Sequence, residues 1–145
     1  MREILFKAKR KDNGEWVEGY LFDDGMPKPK RYFIGGIIIK PYEGTACDKW
    51  NVVGIDFCEI DIDTLCQYTG LVDKNGQKIW ENNICIIKDG TLDEEDGCFI
   101  CKWDDCTARY ILDGNGLTVD FDNVDARDIE AIGNIFDNPE LLEVE

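Results

Sequence analysis

Residues 67–81 read Gln-Tyr-Thr-Gly-Leu-Val-Asp-Lys-Asn-Gly-Gln-Lys-Ile-Trp-Glu and hold two turn signals between aromatic side chains. Gly70 and the pair Asn75-Gly76 accept the positive φ angles that tight turns require. Tyr68 and Trp80 flank these signals, and each carries a large apolar surface with one polar group. We expect this stretch to connect two β-rich halves and to pack its aromatic side chains across the connection.

The chain on both sides of this stretch predicts a mainly β fold, because short alternating segments are separated by turn residues. Residues 2–22 predict a β-hairpin around Lys11–Gly14, with a largely aromatic face on its second strand, made of Trp16, Glu18, Tyr20 and Phe22. Further strands are predicted at 32–40, 52–60, 84–88, 98–103, 107–112, 117–121 and 128–135. Gly35-Gly36 indicates a bulge or a close approach of another backbone.

Two short helical segments are also predicted. Residues 60–65 favour a helical turn capped by an Asp. Asn138-Pro139 is typical of a helix start, with Asn as the cap and Pro in the first helical position. We therefore expect the chain to end in a short helical turn.

The middle of the chain also carries a recognisable pattern, made of Gln67–Leu71, Asp73–Gly76 and Ile79–Glu81. This pattern resembles the hallmark of the YopX family of phage and prophage proteins. The segments Arg2–Ala8 and Ile132–Leu142 resemble the two ends of that family, so the resemblance covers the whole chain.

The resemblance implies a fold but no activity. It implies a β-rich N-terminal subdomain over 1–66 and a compact SH3-like barrel over 67–145, together one unit of the YopX type. The family offers no catalytic residues to transfer. Where the family usually has Gly-Asp-Ile, this chain has Asn82-Asn83-Ile84. Because Asn also accepts left-handed backbone geometry, we expect the turn to survive.

Length and charge limit the classes of partner. The 145 residues suffice for one domain or two small subdomains. The net charge is −15, and it is concentrated in residues 50–145, which carry six Lys/Arg against twenty-three Asp/Glu. Such a field repels nucleic acid and anionic lipid. The basic residues Lys28, Lys30 and Arg31 form either an anion or nucleic-acid contact or a solvated loop, and we favour the solvated loop.

The first residues lack the continuous apolar segment of a signal peptide, and no run approaches the ~20 apolar residues of a membrane helix. We expect no membrane contact and a location in the cytoplasm of a bacterial host.

The seven cysteines favour reduced thiols, because an odd number without a signal peptide argues against a disulfide framework. Cys98 and Cys101, with Cys106 and Cys85, are the alternative: four thiolates that hold zinc tetrahedrally. Phe99 and Ile100 stand between the first two, however, and zinc sites of this kind normally show a second C-x-x-C pair. We therefore expect reduced, partly buried thiols and no metal or other cofactor.

The absence of histidine removes the commonest general base. The two glycine-rich phosphate-binding motifs, G-x-x-x-x-G-K-S/T and G-x-G-x-x-G, are absent from the sequence as well. Acidic clusters at 93–96, 104–105 and 120–125 are ordinary solvated surface or, alternatively, cation ligands; Asp113 begins a calcium-like loop that Leu117 interrupts. We expect no enzymatic activity.

Three functions remain open. The first is a non-enzymatic accessory protein that contacts another protein or a second copy of itself. The second is an acidic module that occupies a nucleic-acid-binding partner, and the third is an enzyme that uses carboxylates on a small molecule. If a ligand binds at the junction of the two halves, the candidate residues are Gln67, Tyr68, Thr69 and Trp80.

Overall fold

The computed structural model describes residues 2–41, 50–88, 97–114, 116–122 and 124–143, with the backbone alone for 39–41 and 50–53. The predicted acidic tip at 93–96, most of the connection 41–51, and Asn115 lie outside these residues. Within them the chain is mainly β, which confirms the predicted fold class. The strands, all antiparallel, are β1 (Phe6–Arg10), β2 (Trp16–Asp23), β3 (Tyr32–Pro41), β4 (Trp50–Val72), β5 (Lys78–Trp80), β6 (Asn83–Ile87), β7 (Phe99–Asp104), β8 (Arg109–Gly114), β9 (Leu117–Asp120) and β10 (Ile129–Asn134).

The chain folds as two compact units. We call Leu5–Leu65 the N-terminal unit, and Cys66–Glu145 together with Met1–Ile4 the C-terminal unit. The division into domains at 1–66 and 67–145 stays a prediction. In the described part of the chain, no helix is long and apolar enough to cross a membrane.

The N-terminal unit is built on the predicted hairpin, now seen as β1 paired with β2. The strands follow the order β1-β2-β3-β4, and an additional pairing between β1 and β4 closes the ring. Alternation along each strand sends every second side chain inward. The buried core contains Ala8, Ile34 and Ile60, and Phe6, Val17 and Leu21 pack against it.

The helical turn predicted for residues 60–65 is wrong, because β4 runs through this segment without a helix. Local side-chain bonds replace part of the strand ladder here. The Thr64 hydroxyl donates to the carbonyl of Asp61 at 2.7 Å and accepts from the backbone N–H of Lys9 at 2.8 Å. The Asp61 side chain accepts from the N–H of Asp63. Asp and Thr make such bonds in extended segments as well as at helix caps.

The C-terminal unit contains a five-stranded sheet in the order β10-β6-β7-β8-β9. Its buried core consists of Ile79, Cys85, Phe99, Cys101, Leu112, Val124 and Ile129. The SH3-like barrel implied by the resemblance is not confirmed and stays a prediction. A short 3-10 turn at Pro139–Leu142 matches the predicted C-terminal turn. Asn138 and Pro139 occupy the cap and the start of this turn, as predicted, but the Asn138 side chain makes no capping hydrogen bond and accepts one from the Asn134 N–H instead.

Candidate functional site

The stretch 67–81 folds as the end of β4, a turn, and β5. Tyr68 lies opposite Trp80 in the β4–β5 pairing. Gly76 has a φ of +79° and lies in the turn, as its pattern predicts. Gly70 has a φ of +90° but lies at an irregularity inside β4 rather than in a turn of its own.

The carboxylate of Asp73 holds this turn together from within. Its Oδ1 accepts hydrogen bonds from the backbone N–H groups of Asn75, at 2.8 Å, and Gln77, at 2.9 Å. Its Oδ2 accepts from the N–H of Ala131 at 3.0 Å, which ties the turn to β10. Bonds to an ionised acceptor are stronger than neutral ones, and Asp73 is buried. Asp73 is therefore a structural residue, a role that the sequence pattern did not assign.

The four predicted binding residues all lie in the C-terminal unit, where packing or a hydrogen bond involves the side chains of Tyr68, Thr69 and Trp80 and the backbone of Gln67. Tyr68 is 6% exposed and Trp80 5% exposed, with ring centroids 5.5 Å apart. The Thr69 hydroxyl donates to the carbonyl of Ile79 at 2.7 Å. The backbone N–H of Gln67 donates to the Glu81 carboxylate at 2.6 Å. This geometry favours packing over ligand contact.

The departure Asn82-Asn83 has a clear geometry. Asn82 has a φ of +67°, so the turn survives in the left-handed conformation that was predicted for it. The Asn83 side-chain oxygen accepts from the N–H of Trp80 at 2.7 Å, and its amide donates to the carbonyl of Gly133 at 3.1 Å. An Asp carboxylate could not supply the second bond, because it has no donor when ionised. Asn83 thus joins β5 to β10.

Three of the six described cysteines behave as small apolar core residues. Cys66, Cys85 and Cys101 are buried, and Cys106 is exposed. Burial raises the pKa of Cys85 to about 12 and raises the pKa of Cys101 as well. A thiol must lose its proton to bind zinc, so burial works against that role. Among the described residues, no group of three or more Cys, Asp or Glu is placed to hold a metal ion; Cys47 lies outside them.

Charged side chains that stood out in the sequence pair with each other. Lys30 lies 3.5 Å from Asp23, and Arg31 lies 2.8 Å from Glu59. In the C-terminal unit the acidic residues of 120–125 form ion pairs with arginines and do not surround an empty cation site. The closest pairs are Arg109–Asp120 at 3.0 Å and Arg127–Asp125 at 2.6 Å.

A groove of about 290 Å³ borders this acidic region of the C-terminal unit, and Thr69, Trp103, Arg109 and Asp122 line part of it. Arg109 engages the carboxylates there, since it contacts both Asp120 and, at 3.9 Å, Asp122. The enzyme alternative would require a free carboxylate beside such a groove. Asp120 and Asp122 both interact with Arg109, so neither of them is free in this sense.

One face of the N-terminal sheet is apolar and exposed. We call it the apolar face and define it as Tyr20, Phe22, Phe33, Ile37, Ile55 and Phe57. Residues opposite each other in antiparallel strands project to the same side, and the β2–β3 and β3–β4 registers align these six. Tyr20 is 61% exposed, Ile37 60% and Phe57 51%. Ile34 projects from the other side of β3 and lies in the core.

Gly35 lies in the middle of the apolar face, opposite both Tyr20 and Phe57. A Cβ at this position would lie 2.6 Å from the Cα of Phe57 and would also overlap the carbonyl of Asp56. The predicted close backbone approach at Gly35 is therefore confirmed. It leaves room for Phe57, whose ring meets the Phe33 ring edge-on at a centroid distance of 5.3 Å.

The apolar face forms a shallow groove at one end, about 290 Å³ in volume, lined by Phe22, Asp23, Asp24, Phe33, Ile55 and Phe57. Beside it, Glu59 contacts Arg31 and, at 3.3 Å, Lys11. The hydrogen bond from Arg31 is the main cause that lowers the pKa of Glu59 to about 2. The charges around the groove are thus of both signs. Asp23 and Glu59 form ion pairs, and Asp24 accepts hydrogen bonds from the backbone N–H groups of Met26 and Arg31.

Sequence reasoning found two of the six residues of this face and missed the other four. The alternation in β2 indicated an aromatic face that includes Tyr20 and Phe22. In β3 the run Ile37-Ile38-Ile39 is apolar at consecutive positions, so it does not show which side is covered. Alternation of Ile55 and Phe57 with Asp56 was the available signal for β4.

The described part of the chain thus defines a class: an antiparallel β protein of two units, one of which displays an apolar face. The chain belongs to the YopX family, since the family model described as YopX protein matches residues 5–143. Its fold is similar to the crystal structure of protein EF1440 from Enterococcus faecalis, with a TM-score of 0.58 and 21% identity over 99% of this chain and 100% of that one. No curated protein matches the chain.

Proposed function

We propose that this chain is a non-enzymatic phage or prophage accessory protein that acts by protein contact in the cytoplasm of a bacterial host. The observation that supports the proposal is the apolar face. Taking roughly 200 Å² for each large side chain when fully exposed, its five most exposed residues present roughly 500 Å². The largest patches on monomeric proteins measure about 300–600 Å² and often serve a function.

The composition of the apolar face also supports protein contact. Tyr and Phe are enriched in the centres of protein interfaces, whereas Lys, Glu and Asp are depleted there. The face has aromatic residues in its middle and charged residues, such as Asp23 and Arg31, near its edge. An apolar centre with a polar rim is the usual arrangement of a protein interface.

A second candidate is the acidic module that occupies a nucleic-acid-binding partner. It is favoured by the charge of the C-terminal unit, which carries seven Lys/Arg and twenty Asp/Glu. A ligand role for Gln67, Tyr68, Thr69 and Trp80 stays a prediction, as does the small-molecule enzyme.

Site-specific photo-crosslinking in a lysate of the bacterial host, at low and at high salt, tests the main proposal. A photoreactive phenylalanine analogue replaces Tyr20 in the apolar face, and in a matched control it replaces Leu117, which is 43% exposed in the C-terminal unit. We expect protein adducts from position 20 and few from position 117. If neither position yields a protein adduct, the contact proposal is wrong.

Salt separates the two candidates. The affinity of an apolar contact changes little between low and high salt, whereas the affinity of binding through an acidic surface falls steeply as the salt concentration rises. Adducts that form at position 117 and disappear at high salt would favour the acidic module instead.

A further inference from the structure

We propose that the partner of the apolar face is a second copy of this chain, joined face to face about a twofold axis. This inference rests on the proposed contact function and names its partner. A two-fold contact presents the same patch on both sides, so the patch must be complementary to itself in chemistry and in charge. The apolar face meets both requirements.

The charges near the face carry no excess of one sign. Asp23 pairs with Lys30, and Glu59 pairs with both Arg31 and Lys11. The whole N-terminal unit carries nine Lys/Arg and eleven Asp/Glu. Two such faces therefore approach with little repulsion, and the rim offers no net charge that would select a strongly basic or acidic foreign partner.

The area suits a small dimer. Two faces of roughly 500 Å² bury roughly 1,000 Å² in total, which is the lower limit for a specific interface. Ile38 is also exposed, but it projects from the other side of β3 and is not counted in this area. Homodimer interfaces are more apolar than transient ones, which agrees with a face whose large side chains are all Tyr, Phe or Ile.

The hairpin of β3 and β4 adds a second argument. Among the described strands, β2 pairs with β3 only as far as Gly35, so residues 36–41 and their partners in β4 extend beyond it as a two-stranded ribbon. Isolated two-stranded ribbons are marginally stable in water. Ile37 and Ile38 expose apolar surface on both sides of this ribbon. A second copy would cover the Ile37 side whenever the protein is made, without need of another gene product.

Sedimentation of the purified full chain tests the inference. We expect wild type to sediment as two chains of 16.6 kDa and the variants Tyr20→Glu and Ile37→Glu to sediment as single chains. A charge placed in the centre of the interface should weaken dimerisation by about a hundredfold or more. Leu117→Glu is the matched control, because Leu117 has similar exposure outside the face, and it should remain dimeric. Far-UV circular dichroism and urea unfolding establish that each variant is folded.

Three outcomes would overturn the inference. One is a wild-type chain that sediments as a monomer at its highest soluble concentration. Another is a dimer that Leu117→Glu disrupts while Tyr20→Glu and Ile37→Glu do not. The third is a monomeric chain whose position-20 crosslinker captures a foreign protein or lipid. A captured foreign protein leaves the contact function standing and removes only the second copy, so the two failures are distinguishable.

Discussion

The two units treat their apolar side chains differently. Among the described residues, the C-terminal unit buries a core cluster of seven, whereas that of the N-terminal unit contains three. The N-terminal unit instead exposes the apolar face. The charges differ as well, with a net charge of −13 in the C-terminal unit and −2 in the N-terminal one.

The difference indicates that one unit mainly provides stability and the other mainly provides association. Burial of apolar area is the main source of folding free energy, so the C-terminal unit should carry most of the stability. An exposed apolar face contributes little to the stability of the monomer but much to association. Substitutions should therefore lower stability most in the C-terminal unit and alter association most in the N-terminal unit.

Trp80→Ala should have the largest effect on stability. The side chain is buried beside Tyr68, and removing a buried Trp costs about 3–5 kcal/mol. Urea unfolding measures the loss. Ile37→Ala in the exposed ribbon is the matched control. Measured, like Trp80→Ala, in the monomeric Tyr20→Glu background, it should change the free energy of unfolding by less than about 0.5 kcal/mol. If both variants lose the same free energy of unfolding, the claim that the C-terminal unit carries most of the stability is wrong.

Asp73→Ala should cost somewhat less. Three backbone N–H groups, those of Asn75, Gln77 and Ala131, lose their acceptor. Hydrogen bonds to a charged group are worth about 1.5–3 kcal/mol, and water replaces part of the loss near the surface, so we expect a loss of about 2–3 kcal/mol. Asp105→Ala, at an exposed position, is the control. Equal urea midpoints for the two variants would contradict a structural role for Asp73.

Gly35→Ala should cost about 1–3 kcal/mol and also disturb the apolar face, because the new Cβ overlaps the backbone around Phe57. Its neighbour Gly36 supplies the control. A Cβ at Gly36 meets only the Tyr20 ring, at 3.9 Å, so Gly36→Ala should be neutral or slightly stabilising. Thermal unfolding and sedimentation measure the two effects. Two alanine variants with the same melting temperature would show that the close approach is relaxed at no cost.

Strand positions and turn chemistry were predictable because they depend on local sequence. The left-handed Asn82 and the hairpin around 11–14 follow from residues whose backbone preferences are strong. The segment 60–65 was mispredicted because Asp and Thr make the same short-range bonds in caps and in extended chain.

The site was harder to predict because exposure depends on which strands cover one another. The spacing of Tyr20, Ile37 and Phe57 along the chain says nothing about their meeting on one sheet face; the strand registers bring them together. Buried Asp73 was missed for the same reason, since its third bond reaches β10, far along the chain.

Glu81→Gln should have the smallest effect, and in the opposite direction. Burial raises the pKa of Glu81, and the hydrogen bond from the Gln67 N–H opposes this only in part. A carboxyl whose pKa is raised by folding reduces stability once it ionises, so the cost is absent below the unfolded pKa of about 4.5 and fully present above the folded pKa. A Gln side chain keeps the acceptor oxygen without the charge. The variant should therefore melt slightly higher than wild type at pH 7, and the difference should shrink as the pH falls towards 4. A variant that melts lower at pH 7 would show that the charge strengthens the bond to Gln67 by more than burial costs.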